Sequence, residues 1–238
     1  MNGVSAPQAA RSSGKGRHWP RAITAAVAAW AFLSLAAVGE ERSPGDVRTG
    51  IFGLEASGNR FVYVFDRSAS MGDDGGKPLA AAKRELLRSL DELGDVQQFY
   101  VIFYNQRPQV FSPSGASGRL VFATEDNRRA ARRFVDSVRA SGATRHADAI
   151  AAALRLAPDV IFILTDGDSG DDLDEDELRT LIRSIGGTRC MVVQFGGEGG
   201  GRSPRLARLA AESGGRYAVI DGTAGEDDTA ADPEDDGR

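Results

Sequence analysis

Along the middle of the chain, continuous apolar runs alternate with stretches in which apolar residues recur every three or four positions. The runs at 61–65, 99–104, 160–164, 191–195 and 217–220 have the length and uninterrupted apolarity of strands buried on both faces. Helical stripes lie between most of them. The first has Pro78 near its start, then Leu79, Ala82, Leu86, Leu90 and Leu93, with Gly94 to stop it. The second is expected over 126–140, with Thr124 as cap and Phe134 and Val138 facing inward. A third starts near His146 and carries Ile150 and Leu154, and a fourth shows Leu178, Leu181, Ile182 and Ile185. The fifth opens on Ser203-Pro204, buries Leu206, Leu209 and Ala210, and ends at Gly214-Gly215. A short antiparallel edge strand is expected within 109–122, and a small lead-in strand at 51–54.

Strands alternating with helices imply right-handed crossovers. The expected fold is α/β: a Rossmann-like, doubly wound, mostly parallel six-stranded sheet with helices on both faces. Ligands bind such sheets beyond the carboxyl ends of the strands, where strand order reverses. With order 3-2-1-4-5-6, that reversal lies between the first strand, which runs into Asp66, and the fourth, which runs into Asp166. The loop holding Thr144 precedes a helix leading into the Asp166 strand, so it reaches the same rim.

Chemistry concentrates at that rim. Asp66-Arg67-Ser68-Ala69-Ser70-Met71 places a carboxylate and two hydroxyls two residues apart where a buried strand runs out. Thr144 and Asp166 add two more oxygens. Hard oxygen donors suit Mg²⁺, Mn²⁺ or Ca²⁺ rather than a soft or redox metal. Taken alone, the Asp66–Ser68–Ser70 triplet also reads as a helix cap or polar turn.

Asp-x-Ser-x-Ser at 66–70, the Gly-x-Thr loop at 142–144, Thr-Asp-Gly at 165–167 and Gly-Gly-Arg-Tyr at 214–217 together resemble von Willebrand factor type A domains. The likeness covers roughly 48–221, and the text around Asp66 is similar to bacterial members with a membrane segment ahead of the domain. The resemblance implies a metal-ion-dependent adhesion site. In it Ser68, Ser70 and Thr144 bind Mg²⁺ (or Mn²⁺ or Ca²⁺) directly, while Asp66 and Asp166 help hold it, partly through water. It further implies a non-enzymatic module whose ion accepts an Asp or Glu carboxylate from another protein. Ala69 and Ala143 are mild departures from the family pattern; neither removes an oxygen.

Length and charge set the surroundings. The 238 residues suffice for one sizeable domain plus extensions. Residues 1–21 carry four cations, Arg11, Lys15, Arg17 and Arg21, and no acid. The uncharged run at 22–39 follows, about 27 Å long as a helix. It reads as a signal anchor, which puts the N-terminus in the cytoplasm and the domain outside a single-pass cell (inner) membrane. Cleavage after Ala37-Val38-Gly39 is the competing reading and would give a secreted protein. Residues 40–47 read as a linker, 48–221 as the domain, and 222–238 as a disordered tail with seven acids. The acidic balance excludes a nucleic-acid binder that works through a basic face.

Several bland readings stand beside these. The lone Cys190 is expected to be an inert core residue, and His146 a surface or helix-start histidine, with support of the site as the alternative. The acidic stretch from Asp168 to Glu177 suits a solvated loop entering a helix and misses the EF-hand template. The glycine-rich 196–201 loop lacks a phosphate-cradle ending. Two other functions remain open: a metal-independent scaffold in an envelope assembly, and a Mg²⁺-dependent phosphatase of the haloacid dehalogenase type. In the latter, Asp66 is the nucleophile and Asp168 or Asp171 a metal ligand.

Overall fold

The computed structural model describes residues 45–115, 118–167, 173–196 and 202–221. Strands β1 (Val47–Ile51) and β2 (Leu54–Gly58) form an antiparallel hairpin. Phe52 and Gly53 close it at φ 48° and 74°. Two positive φ values in a two-residue loop match the right-handed twist of the flanking strands. The lead-in strand expected at 51–54 is therefore the turn of this hairpin. Ile51 and Leu54 are its last cross-strand pair and are buried, whereas Phe52 turns edge-on to Phe195 at 5.3 Å.

The main sheet contains β3 (Arg60–Asp66), β4 (Gln98–Tyr104), β5 (Pro108–Val110), β6 (Val121–Phe122), β7 (Val160–Thr165), β8 (Arg189–Gly196) and β9 (Tyr217–Asp221). Its order is β5-β4-β3-β7-β8-β9, with β3 parallel to both β4 and β7. The expected order is thus observed, and the reversal falls beside β3. The antiparallel edge differs in detail, because it is two short strands on β4 rather than one: β5 pairs at 102–104 and β6 at 98–99. Between them Phe111 turns inward, stacking on Phe99 at 5.6 Å, and Ser112-Pro113-Ser114-Gly115 interrupts the ladder.

Among the described residues, five α-helices cover the sheet: α1 (Asp73–Asp91), α2 (Glu125–Ser137), α3 (His146–Leu154), α4 (Glu175–Ser184) and α5 (Pro204–Glu212). In α1, Asp74, Gly75 and Gly76 have positive φ, so the regular helix begins at Lys77. Pro78 then sits in the first turn, where its missing N–H is not needed. Thr124 caps α2 as expected, but the helix stops at Ser137 instead of continuing to 140. Val138 turns extended and buries its side chain, while its carbonyl accepts Lys83 Nζ at 2.7 Å and Arg139 Nη1 at 2.9 Å. Asp174 and Glu177 close a reciprocal capping box on α4.

Strand alternation divides the core. Phe61, Tyr63 and Phe65 face a layer made by the hairpin, α1 and α2. Val62 and Val64 face α3, α4 and α5. Among the described residues no helix is long and apolar enough to cross a membrane. The run at 22–39 and the acidic tail lie outside the described residues.

A buried polar knot fastens the hairpin to α1. Thr49 Oγ1 lies 2.6 Å from Ser89 Oγ and donates to Glu92 Oε2 at 2.7 Å, and the Tyr63 hydroxyl lies 2.8 Å from Ser89 Oγ. Burial pushes the Tyr63 phenol far above its ordinary value, so it stays neutral. Ser89→Ala leaves that buried hydroxyl without its serine. The expected loss is about 1–3 kcal/mol of unfolding free energy in urea denaturation, with an unchanged m-value.

Candidate metal centre

The centre is built on the end of β3. Asp66 is fully buried. Its Oδ1 accepts the backbone N–H of Ser68 at 2.7 Å, and its Oδ2 accepts Thr165 Oγ1 at 3.0 Å and Thr144 Oγ1 at 3.5 Å. Ser68 Oγ lies 3.1 Å from Ser70 Oγ. Four of the five expected donors are thus linked, from two separate parts of the chain, and Thr165 brings in a third. Asp166 follows β7 with its carboxylate oxygens shielded from solvent, and its charge acts on Asp66.

Backbone hydrogen bonds fix how these loops meet. Ala69 N donates to Gly142 O and Ser141 N to Arg67 O, each at 2.8 Å, which ties the 66–70 turn to the Thr144 loop. Ala69 has φ −60° and ψ −39°, ordinary right-handed geometry, so a glycine is not required there. Gly142 is different. Its φ is 78°, and a Cβ would sit 3.0 Å from both the Asn105 and Gln106 side-chain amides. Asn105 is the hinge pin of this rim: its Nδ2 donates to Ser141 O at 2.6 Å, and its Oδ1 accepts Arg67 Nη2 at 3.3 Å.

The electrostatics are those of an uncompensated carboxylate. Burial, aided by the charge of Asp166, pushes Asp66 up to about 7, against the opposing hydrogen bonds from Ser68 and Thr165. A cation among these oxygens would reverse that balance. Among the described residues no group of three or more His, Cys, Asp or Glu side chains is placed to hold a metal. An ion here would therefore rely on hydroxyl oxygens, a donor set that fits a hard divalent cation.

Three further residues support the centre. Thr165 lies inside the Thr-Asp-Gly motif and bonds Asp66 directly. Tyr104 sits opposite Asp66 in the β3–β4 register, and its hydroxyl is 2.8 Å from His146 Nδ1. Only the register could have revealed it. His146 begins α3 as expected, but the surface alternative is overturned: it is 3 % exposed, packed edge-on against Tyr104. Burial, then the Asp66 charge, holds the Tyr104 phenol well above its usual range. Cys190 is buried and its thiol is pushed up to about 11, in line with an inert core residue. Asp168 and Asp171, and the glycine-rich residues 197–201, lie outside the described residues.

The family profile for the von Willebrand factor type A domain matches residues 59–219, from just ahead of β3 into β9. The chain belongs to the von Willebrand factor type A domain family. Human inter-alpha-trypsin inhibitor heavy chain H4 is 30% identical over 129 residues, 49% of this chain and 13% of that protein. A solved von Willebrand factor type A structure from Catenulispora acidiphila is 26% identical, with TM-score 0.58, over 70% of this chain and 40% of that one. The mussel byssus protein PTMP1, solved with its metal-ion-dependent adhesion motif occupied by zinc, shares the fold. It is 20% identical with TM-score 0.52, over 69% of this chain and 42% of its own. This von Willebrand A domain thus spans a minor part of those relatives' lengths.

The raised Asp66 sets a pH dependence for the metal-free domain. Its folded pKa of about 7 exceeds the ordinary 3.8, so the native state binds more protons between those values. Stability in EDTA should therefore fall as pH rises from 4 to 7, by on the order of 3–4 kcal/mol if the shift is fully expressed. Asp66→Asn should flatten that slope in urea denaturation at successive pH values. An unchanged slope would place the protonation elsewhere.

Proposed function

We propose that this von Willebrand A domain is a non-enzymatic protein-binding module. In this reading Asp66, Ser68, Ser70, Thr144 and Asp166 hold a divalent cation, Mg²⁺, Mn²⁺ or Ca²⁺, and a partner protein supplies an Asp or Glu carboxylate. The observation that carries it is the convergence on Asp66 of the Thr144 hydroxyl at 3.5 Å and of the 68–70 turn, whose Ser68 amide meets Oδ1 at 2.7 Å and whose Ser68 and Ser70 hydroxyls lie 3.1 Å apart, around a carboxylate that burial has destabilised. PTMP1, which shares the fold, was solved with zinc in its own metal-ion-dependent adhesion motif.

The residues divide the work. Ser68, Ser70 and Thr144 offer neutral oxygens, so they bind without cancelling the charge that attracts an anionic ligand. Asp66 and Asp166 supply the negative charge that retains the ion, and Thr165 with the Ser68 amide keeps Asp66 oriented. When bound, the cation supplies an electrophilic coordination position for the partner's carboxylate. The phosphatase alternative fits poorly, because Asp66 is fully buried with both carboxylate oxygens engaged, leaving little access for attack on a phosphate. We also propose that residues 22–39 anchor the chain in the bacterial inner membrane with the N-terminus cytoplasmic and the domain outside it.

Calorimetric titration of the full chain with Mg²⁺, Mn²⁺ and Ca²⁺ tests the centre. The native protein should bind one equivalent, Thr144→Ala or Ser68→Ala should weaken it about 10–100-fold, and Asp66→Ala should abolish it. Equal thermal stability of native protein and Asp66→Ala across those titrations would count against a metal. Partner capture from membranes should disappear in EDTA; capture that survives chelation would favour the metal-independent scaffold.

A further inference from the structure

The rim on the β4 side of the centre is cationic. Arg67 lies between Asp66 and Ser68, Arg145 follows Thr144, Arg139 leads into the same loop, and Arg107 is tied through its backbone N–H to Asn105 Oδ1 at 3.0 Å. Asn105 O also accepts Arg145 N at 3.2 Å, and Arg67 Nη1 donates to Ser141 Oγ at 3.1 Å and to Arg139 O at 3.3 Å. One buried asparagine thereby gathers Arg67, Arg107 and Arg145 onto the loops that carry the proposed metal donors, and Arg67 ties in Arg139 as the fourth. Arg107, Arg139 and Arg145 are exposed. Among the described residues, the carboxylate within 4 Å of any of the four is Asp148, 3.7 Å from Arg145, in a pair more than half exposed on both sides. Such a pair neutralises little. In a chain of net charge −5, this is a concentrated field of the opposite sign.

The chain carries its own complement to that field. Strand β9 ends at Asp221, and because β3, β7, β8 and β9 are mutually parallel, it ends on the same side of the sheet as Asp66. Beyond it the sequence supplies Glu226, Asp227, Asp228, Asp232, Glu234, Asp235 and Asp236. From β9 to β4 is four strand spacings, about 19 Å at ~4.8 Å each. The eleven residue steps from Asp221 to Asp232 can span up to about 36 Å. Asp232 to Asp236 can therefore reach the arginines and the metal beside them, past the acidic start of α4. The Glu175 and Asp176 carboxylates there are partly offset by Arg208 and Arg179.

We propose that the acidic segment 226–236 is a tethered ligand of this rim, occupying Arg67, Arg107, Arg139 and Arg145 and competing with any external acidic partner. The arginines select for ligands with several carboxylates, and the tether raises the local concentration of one such ligand into the millimolar range. The competition at the metal rests on the function proposed above; the arginine contact does not.

The test uses the full chain and a synthetic peptide of the sequence 226–236, followed by fluorescence anisotropy in Mg²⁺. In one variant the seven acids become amides (Glu226→Gln, Asp227→Asn, Asp228→Asn, Asp232→Asn, Glu234→Gln, Asp235→Asn, Asp236→Asn). That variant should bind the peptide at least about 10-fold more tightly than the native chain, whose own segment competes. Adding Arg107→Gln and Arg145→Gln should cost about 10-fold, and binding should weaken in 0.5 M NaCl. Equal affinity of native and amide variants, no binding to the amide variant, or indifference to the arginine changes would overturn the proposal. If peptide binding persists in EDTA while calorimetry detects no metal, the arginine contact stands and the metal reading fails. Metal binding without peptide binding gives the converse.

Discussion

A carboxylate buried at the end of a central strand must be compensated, and at Asp66 the surrounding elements are arranged around that demand. Strand β3 lies between β4 and β7, so the end of β3 receives Tyr104 from one side and Thr165 and Asp166 from the other. The turn that follows folds back so that the Ser68 amide meets Oδ1. Hydrogen bonds alone leave the group raised to about 7, because desolvation outweighs them. The unpaid remainder is what a divalent ion would supply, so the same strain that destabilises the metal-free domain favours the metal-bound one.

The loops that provide the other oxygens are held by geometry rather than by strong local propensity. Gly142 gives the Thr144 loop a positive φ and clears the Asn105 amide, and Asn105 bonds Arg67, Ser141, Arg107 and Arg145 together. This makes the metal donors and the arginine rim a single mechanical unit. A ligand touching the rim and a ligand touching the metal would therefore meet the same loops. The proposed metal binding and the proposed self-recognition both rest on one asparagine-centred junction.

On the far side of the sheet's centre the hairpin β1–β2 does the covering that lets Phe162, Met191 and Phe195 stay dry. Its link to α1 is polar, through Thr49, Ser89 and Tyr63, and not merely apolar. Since α1 follows directly from the Ser70–Gly72 turn, the position of the hairpin and the position of the Ser70 donor are set by one helix.

How much was legible beforehand follows from which forces are local. Continuous apolar runs and stripes of period 3.6 report burial directly, so strands, helices and the strand reversal beside Asp66 could be read from the chain. The donors Asp66, Ser68, Ser70, Thr144 and Asp166 were readable as residue types at strand and loop ends. The helix end at Ser137, the hairpin turn at Phe52-Gly53 and the split edge on β4 were not, because each depends on a capture by another segment: Lys83 on Val138, Phe195 on Phe52, Phe99 on Phe111. Thr165, Tyr104, His146 and Asn105 belong to the site only through strand register and loop contact. Sequence by itself therefore determined the elements and the inventory of oxygens. Tertiary structure alone decided which hydroxyls face the buried carboxylate and where the arginines gather, because both depend on distances between residues remote along the chain.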